Sequence, residues 1–153
     1  MTIDLSQAAF VAAAMLRKFE GLRLAPYLCP AGKLTVGYGH VILPAEVNLR
    51  GGITEDEAER LLLRDLAWAL FAVRSVGRVL NDGQAAALAS LIYNIGQSAW
   101  WESTIRGCVI DGQMPAAARE FVRWAKVGGV VNAGLLARRC AEKKVFEGAV
   151  WTG

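Results

Sequence analysis

A capping sequence at Thr54 opens the longest helical pattern in the chain. Thr54 and Glu57 have the spacing of a capping box, in which each side chain bonds the backbone N–H of the other residue. Apolar residues then recur at helical spacing: Ala58, Leu62, Leu66, Ala69 and Val73. This pattern predicts a long helix over about residues 54–77, which joins the part of the chain before it to the part that follows.

The residues before this helix predict one further helix and a small sheet. Asp4 or Ser6 can cap a helix over about residues 5–19, which Gly21 ends. Three short β-rich segments punctuated by glycines follow, at residues 27–29, 34–38 and 40–42. Strands as short as these need a helix to pack on, so we do not expect this part to be stable alone.

Every pattern after Asn81 is helical. Helices are predicted over residues 84–95, 103–110, 115–126 and 135–146, with glycines between them. The fold class that follows is α+β and mostly helical, in one domain of residues 1–153. We expect a small N-terminal lobe with a β-hairpin (about 1–53), the linking helix (about 54–77) and an all-α C-terminal lobe (about 78–153). The cleft between the lobes is the expected binding site.

The composition supports a folded chain and argues against several classes of protein. With 153 residues, of which 54% are hydrophobic, the chain can bury a core. The apolar run at residues 8–16 is shorter than the roughly 20 residues of a membrane-spanning helix, so we predict a core helix and no stable membrane insertion. The net charge of +3 favours an acidic polymer, but no Lys/Arg cluster is interleaved with aromatic residues, and nucleic acid is not expected.

The cysteines indicate the redox compartment. Cys29, Cys108 and Cys140 form no C-x-x-C pair and are odd in number. Neither a disulfide framework nor a zinc site is indicated. Free thiols fit a reducing cytoplasm.

Glu20, Cys29 and Thr35 are the candidate catalytic residues. Glycoside hydrolysis needs a proton donor and, in inverting enzymes, a group that activates water on the opposite face of the sugar. Glu20 is at the C-terminal end of the first predicted helix, where the helix dipole favours the neutral acid. Cys29 and Thr35 lie six positions apart around a turn, so in a symmetric hairpin they face each other and could hold one water. Taken singly, each residue fits an ordinary helix end or hairpin better than an active site.

The spacing of the three residues resembles a known signature. They match E-x8-[DC]-x5-T of the phage-type lysozymes, glycoside hydrolase family 24. Further blocks resemble the family in the same order: TVGYGH (35–40), ITEDEAE (53–59), YNIG (93–96) and GLLARRCAEKKVF (134–146). The resemblance implies a lysozyme-like fold that hydrolyses the β-1,4 bonds between N-acetylmuramic acid and N-acetylglucosamine in bacterial peptidoglycan. It assigns the catalytic roles to Glu20, Cys29 and Thr35 and implies no metal or cofactor.

One residue differs from the commoner form of the signature. Many members carry Asp where this chain has Cys29, so the sequence offers one obvious carboxylate instead of the pair expected of an inverting glycosidase. Cys29 could act as a base, as a water-orienting group or as a nucleophile. A lytic transglycosylase, which works with one glutamate, is the nearest mechanistic alternative. A non-catalytic wall-binding module is the alternative from another class.

The resemblance also implies substrate-binding residues in the cleft. Arg138 should face Glu20 from the last helix, and Asn94 should reach the sugar chain. Tyr38, within the TVGYGH block, is the third candidate for binding substrate. For Asn94, a buried helix-capping role remains a competing interpretation.

His40, the only histidine, has two interpretations. The resemblance implies a structural ion pair with Asp65 on the linking helix, which would tie the sheet to that helix. Cys29 with His40 also suggests a cysteine peptidase, but no third member of such a site is evident. The ion pair is the preferred interpretation.

The five tryptophans could offer faces on which sugars stack, although tryptophan more often packs in a core. Core packing is expected for Trp124. For Trp100 and Trp101 both roles stay open.

The resemblance implies an endolysin, a lysozyme that causes lysis of the host cell. This implies in turn the partners and the location of the protein. Its partner is peptidoglycan, and we expect a monomer in the host bacterial cytoplasm that acts on the cell wall after release. A holin-type pore is inferred for that release. The inference rests on how endolysins work, not on a residue of this chain.

Overall fold

Residues 4–153, which the computed structural model describes, fold mainly as α-helix with two small sheets. The helices are α1 (Ser6–Glu20), α2 (Glu55–Arg74), α3 (Asp82–Ile95), α4 (Gln97–Trp101), α5 (Thr104–Ile110), α6 (Met114–Glu120) and α7 (Ala133–Phe146). The strands are β1 (Arg23–Leu28), β2 (Leu34–Gly37), β3 (His40–Val41), β4 (Lys126–Val127) and β5 (Val130–Val131), and short 3-10 turns lie at Val47–Gly51 and Phe121–Trp124. The predicted α+β, mostly helical class is confirmed. None of the helices in this range combines the length and the apolarity needed to cross a bilayer.

α2 begins where its capping sequence predicts. Thr54 Oγ1 accepts a hydrogen bond from the N–H of Glu57 (3.2 Å), and the Glu57 carboxylate accepts one from the N–H of Thr54 (2.7 Å). The acidic residues of the first turn also face the positive end of the helix dipole. The helix ends at Arg74, slightly before the predicted end near residue 77.

α1 positions Glu20 as its last residue. At the start of α1 the Asp4 carboxylate accepts a hydrogen bond from the N–H of Ser6 (2.9 Å). Of the two predicted capping residues, it is therefore Asp4 whose side chain bonds the backbone of the first turn. Met15 and Leu16 of this helix are fully buried. Gly21 follows directly after Glu20 as the C-cap, as the sequence indicated.

The three N-terminal strands form an antiparallel sheet in the order β1-β2-β3. Thr35 pairs with Tyr27, which places Cys29 opposite Lys33, and the Cys29 N–H donates to the Lys33 carbonyl oxygen at 2.9 Å. The expected symmetric hairpin, with Cys29 directly facing Thr35, is therefore wrong by two residues. Because side chains alternate between the faces of a strand, the two residues still share one face as diagonal neighbours.

The interior consists of a larger and a smaller hydrophobic cluster. α3 is the centre of the larger one: residues 85–92 are all buried, and α1, α2 and α7 pack around them. The smaller cluster lies under the sheet and joins Val36 and Ile42 to Leu61 near the start of α2. α1 thus packs with the C-terminal helices although it precedes the sheet in sequence. The division into lobes near residues 53 and 77 stays a prediction.

The sequence predicted an all-α C-terminal half, and this prediction is wrong. The helix expected over residues 115–126 ends at Glu120 and gives way to a 3-10 turn and then to β4. β4 pairs with β5 around Gly128 and Gly129, whose φ angles are 56° and 82°. A two-residue hairpin turn requires this conformation, and glycine adopts it without strain. The Gly-Gly pair flanked by valines is the signal that predicts the hairpin.

Candidate active site

Glu20 lies beside a guanidinium group that α7 supplies. Glu20 Oε1 accepts a hydrogen bond from Arg138 Nη1 at 2.6 Å. Only 17% of the Glu20 side chain and 7% of the Arg138 side chain are exposed. The guanidinium also lies 5.0 Å from the centre of the Phe19 ring, within cation-π range. The pair joins the first helix to the last and leaves part of the carboxylate accessible.

A buried network holds Arg138 in place. Arg138 Nε donates to Glu142 Oε1 (3.1 Å), and Nη2 donates to the carbonyl oxygen of Ser90 on α3 (3.2 Å). Glu142 is fully buried and also accepts from the Ser90 hydroxyl (2.7 Å) and from Arg139 Nη2 (2.9 Å). Glu142 therefore fixes where Arg138 meets Glu20.

Gly39 packs against the other oxygen of the Glu20 carboxylate. A Cβ atom at this position would lie 2.9 Å from Glu20 Oε2, which is too close for a non-bonded contact. The φ angle of Gly39 is +78°, in the region that glycine favours. Sequence reasoning used Gly39 only as a break between two β-rich segments and as part of the TVGYGH block. A glycine inside a strand pattern was the available signal for such a close backbone approach.

Cys29 and Thr35 share a face of the hairpin beside its turn. Cys29 is half-buried and Thr35 is buried. Hydrogen bonds from the backbone N–H of Lys33, and then of Ala31, outweigh burial and hold the pKa of the Cys29 thiol below its usual value. The Thr35 hydroxyl donates to the Lys33 carbonyl oxygen (2.9 Å), which leaves its own oxygen able to accept. The hairpin thus presents an easily ionised thiol next to a hydrogen-bond acceptor.

Tyr27 lies within electrostatic range of both Glu20 and Cys29. Burial is the main cause that raises the pKa of Tyr27, and the charges of Glu20 and Cys29 raise it further. Arg23, whose guanidinium lies 4.3 Å from the centre of the Tyr27 ring, lowers it. The acid on α1 and the thiol on the hairpin therefore both act on the pKa of the same tyrosine. Sequence reasoning treated Tyr27 only as a strand residue.

His40 belongs to a network between the sheet and α2. Its Nδ1 lies 2.7 Å from Asp65 Oδ2, and its Nε2 lies 2.8 Å from Glu46 Oε2. The hydrogen bond to Asp65 is the largest cause that raises the pKa of His40, and Glu46 adds to it against the effect of burial. Burial alone would raise the pKa of Glu46, but the N–H of Leu43, His40 and Arg64 lower it to about 2. Sequence reasoning missed Glu46 and Arg64, whose side chains lie 2.8 Å apart.

The geometry around His40 disfavours a cysteine peptidase. Both ring nitrogens of His40 lie against carboxylates. Neither nitrogen is therefore available to take a proton from Cys29. The interpretation of Cys29 and His40 as a catalytic pair has no support in this arrangement.

Asn94 and Tyr38 are engaged by neighbouring side chains. Asn94 is exposed near the end of α3, and its Oδ1 accepts a hydrogen bond from Arg139 Nη1 (2.9 Å), so a buried capping role is wrong. Burial and then Glu59 on α2 raise the pKa of Tyr38, whose carbonyl oxygen accepts the Tyr93 hydroxyl at 2.6 Å. The Tyr38 phenol is thus directed to α2, and Tyr93 links α3 to the chain beside Gly39.

The tryptophans divide between core and surface. Trp100 is fully buried, and Trp124 packs half-buried against the larger cluster as expected. Trp101 is 45% exposed, with the Arg106 guanidinium 4.3 Å from the centre of its ring. Trp68 on α2, which the sequence did not single out, is 60% exposed.

A cavity of about 240 Å³ opens between the sheet, α2 and α3. Its lining includes Gly39, Asp65, Trp68, Tyr93 and Gln97. Since Gly39 also packs on Glu20, the cavity begins beside the catalytic candidate. A larger cavity of about 550 Å³ between α3, α6 and α7 contains none of the predicted site residues. Among residues 4–153, no three His, Cys, Asp or Glu side chains are grouped so that they could hold a metal ion.

Comparisons with known proteins agree on one family. The family model described as phage lysozyme matches residues 17–142. The endolysin of Acyrthosiphon pisum secondary endosymbiont phage 1 is 38% identical over 140 residues, which cover 88% of this chain and 94% of that protein. The solved endolysin from Escherichia coli O157:H7 phage FAHEc1 aligns with a TM-score of 0.83 and 30% identity over 100% of this chain and 99% of the other. The muramidase domain of SpmX from Asticaccaulis excentricus aligns with a TM-score of 0.80 and 31% identity over 95% and 98% of the two chains.

Proposed function

The chain belongs to the phage lysozyme family, and we infer that it is an endolysin muramidase. The reaction is hydrolysis of the β-1,4 bonds between N-acetylmuramic acid and N-acetylglucosamine in bacterial peptidoglycan. The observation that carries the proposal is the position of Glu20. It is a partly accessible carboxylate at the end of α1, held by Arg138 on one oxygen and packed on Gly39 by the other.

We assign Glu20 the role of proton donor. As the glycosidic C–O bond breaks, the leaving oxygen takes the proton of the Glu20 carboxyl group, and positive charge develops on the remaining sugar ring. Arg138, at 2.6 Å, then stabilises the carboxylate that is left. Because Arg138 also binds Glu142, its position does not depend on the charge of Glu20.

We assign the attacking water to Cys29 and Thr35. An inverting mechanism needs a base on the opposite side of the sugar, and the Cys29 thiolate is that base in our proposal. The backbone N–H groups of Lys33 and Ala31 favour the thiolate. Thr35, which donates its single hydroxyl hydrogen to Lys33, can accept a hydrogen bond from the water and orient it. One proton of the water passes to the Cys29 sulfur while the water oxygen bonds to the anomeric carbon of the sugar.

Substitutions of Cys29 should separate the possible roles of the thiol. Cys29→Ala should lower kcat by about 10²-fold or more, the usual contribution of a general base. Cys29→Asp should keep much of the activity. A base works only when deprotonated, so the rate is lost as the pH falls through its pKa. Since a free Asp has a pKa of about 3.9 and a free thiol about 8.5, Cys29→Asp should stay active to a lower pH than the unchanged protein. Turbidity assays across pH would measure both effects.

Cys140→Ala is the matched control for the Cys29 series. Cys140 is an exposed thiol on α7, and its removal should leave the pH profile unchanged. If Cys29→Ala and thiol alkylation both leave the rate as it was, Cys29 is a bystander. If Cys29→Asp is active but its profile does not move, Cys29 orients the water without acting as the base.

Product analysis tests the function itself. Mass spectrometry of digested peptidoglycan should find reducing muramic acid ends. Ends with a 1,6-anhydro ring would instead indicate a lytic transglycosylase, the alternative that the single carboxylate at the site favours. Cut stem peptides would indicate an amidase or peptidase, and binding to sacculi with no released fragment would indicate a wall-binding module.

The remaining proposals concern the molecule in its cell. We propose that the chain acts as one lysozyme-like domain of two lobes and as a monomer. It would accumulate in the host bacterial cytoplasm and reach the peptidoglycan after a holin-type pore releases it. The likeness to phage endolysins supports this sequence of events.

A further inference from the structure

Trp68 is a large apolar side chain left exposed on an otherwise amphipathic helix. It is 60% exposed, and Phe71, one turn further along α2, is 62% exposed. The two ring centres lie 6.4 Å apart with an angle of 79° between the planes. This edge contact restricts the indole and leaves ring surface in solvent. Tryptophan is enriched at interfaces, and contiguous exposed apolar patches mark interaction sites or ligand-binding grooves.

Trp68 lines two cavities, one of which begins beside the candidate catalytic residue Glu20. The cavity of about 240 Å³ runs from Gly39, which contacts Glu20, to Trp68. A second cavity of about 460 Å³ is also lined by Trp68, together with His40, Val41 and others. The indole is therefore part of a surface that is continuous with the catalytic carboxylate. A polymer bound along this surface extends from Glu20 toward Trp68.

The chemistry around Trp68 suits a sugar ring. One face of a pyranose presents C–H groups, which pack favourably on the electron-rich face of an indole. Its hydroxyl and acetamido groups need hydrogen-bond partners at the rim. Gln97, an exposed amide in the same cavity, offers both donors and acceptors, and the Asp65 carboxylate is partly exposed beside it. The cavity thus combines one flat apolar surface with convergent polar groups, as carbohydrate sites require.

We propose that Trp68 forms an outlying binding subsite for the glycan strand of peptidoglycan, in which the indole stacks on a sugar ring remote from the bond that is cut. This proposal rests on the proposed function. Phe71 supports the indole, and Gln97 holds the polar edge of the sugar. The subsite adds binding energy for long strands and takes no part in the chemical step.

The test compares long and short substrates. Uncross-linked glycan strands and fragments of two disaccharide units are the probes, and the release of reducing ends is measured for the unchanged protein, Trp68→Ala and Trp68→Phe. For Trp68→Ala, KM for long strands should rise by about three- to tenfold, the contribution of one aromatic contact, while kcat is retained. The short fragments should be cut as before. Trp68→Phe should restore most of the affinity for long strands.

Phe10→Ala is the matched control, because Phe10 is 70% exposed on α1 and lines neither cavity. It should behave as the unchanged protein. Equal losses on long and short substrates, or no change in KM for Trp68→Ala, would overturn the subsite. So would a loss of binding to anionic phospholipid vesicles with unchanged KM on glycan, since the aromatic pair would then be a membrane contact. If the unchanged protein releases no reducing ends from either substrate, the proposed muramidase function itself has failed.

Discussion

Replacing Glu20 by Gln is expected to abolish lysis while leaving the fold intact. The amide cannot donate the proton that the leaving oxygen needs, and general acid catalysis contributes about 10²- to 10⁴-fold to the rate. Gln has the same shape as Glu, and its oxygen can still accept the hydrogen bond of Arg138. Turbidity loss of permeabilised bacteria and release of reducing ends would measure activity, and thermal unfolding would check the fold.

Glu147→Gln is the control for that substitution. The Glu147 side chain is 48% exposed and pairs with Lys143 at the end of α7, away from the proposed active site. This variant should lyse bacteria at the unchanged rate. If Glu20→Gln retains lysis, the chain is not a glycosidase that uses Glu20 as its acid.

Replacing Glu142 by Ala should give the largest loss of stability of any single change proposed here. Glu142 is fully buried and accepts hydrogen bonds from Ser90, Arg138 and Arg139. Its removal leaves two buried guanidinium groups with less opposing charge, and breaking a buried ion pair in this way costs about 3–5 kcal/mol. Urea unfolding followed by circular dichroism would measure the difference in the free energy of unfolding.

Glu147→Ala, at the residue that directly follows the same helix, tests the role of burial in that effect. Its exposed pair with Lys143 is worth at most about 1 kcal/mol. A similar loss for both variants would show that Glu142 has no special role. In Glu142→Ala, activity should also fall at temperatures where the variant stays folded. The reason is that Arg138 then lacks the carboxylate that positions it beside Glu20.

Local signals made much of the fold predictable from the sequence. The Thr54 and Glu57 capping box and the apolar spacing after it located α2, and Gly21 located the end of α1. These features depend on residues a few positions apart, so a sequence displays them directly. The short hairpin at Gly128 was missed because Gly128 and Gly129 were interpreted only as a break between two helices and not as a hairpin turn.

The finer geometry of the site depends on contacts that no local pattern contains. The predicted hairpin register was wrong because the turn closes between Cys29 and Lys33, which leaves a shorter loop than a direct pairing of Cys29 with Thr35 would need. The sharing of Arg138 between Glu142 and Glu20 depends on how α7 crosses α3 and α1. Long-range packing of this kind could be anticipated only from family resemblance, and the resemblance did not extend to Tyr27, Glu46 or Trp68.

The packing of α1 with the C-terminal helices divides the candidate catalytic residues between the two hydrophobic clusters. The acid, Glu20, is attached to the larger cluster, whereas Cys29 and Thr35 are attached to the sheet over the smaller one. The distance between the proposed proton donor and the proposed water site is therefore set by how the sheet packs against α1, and not by the packing within either cluster.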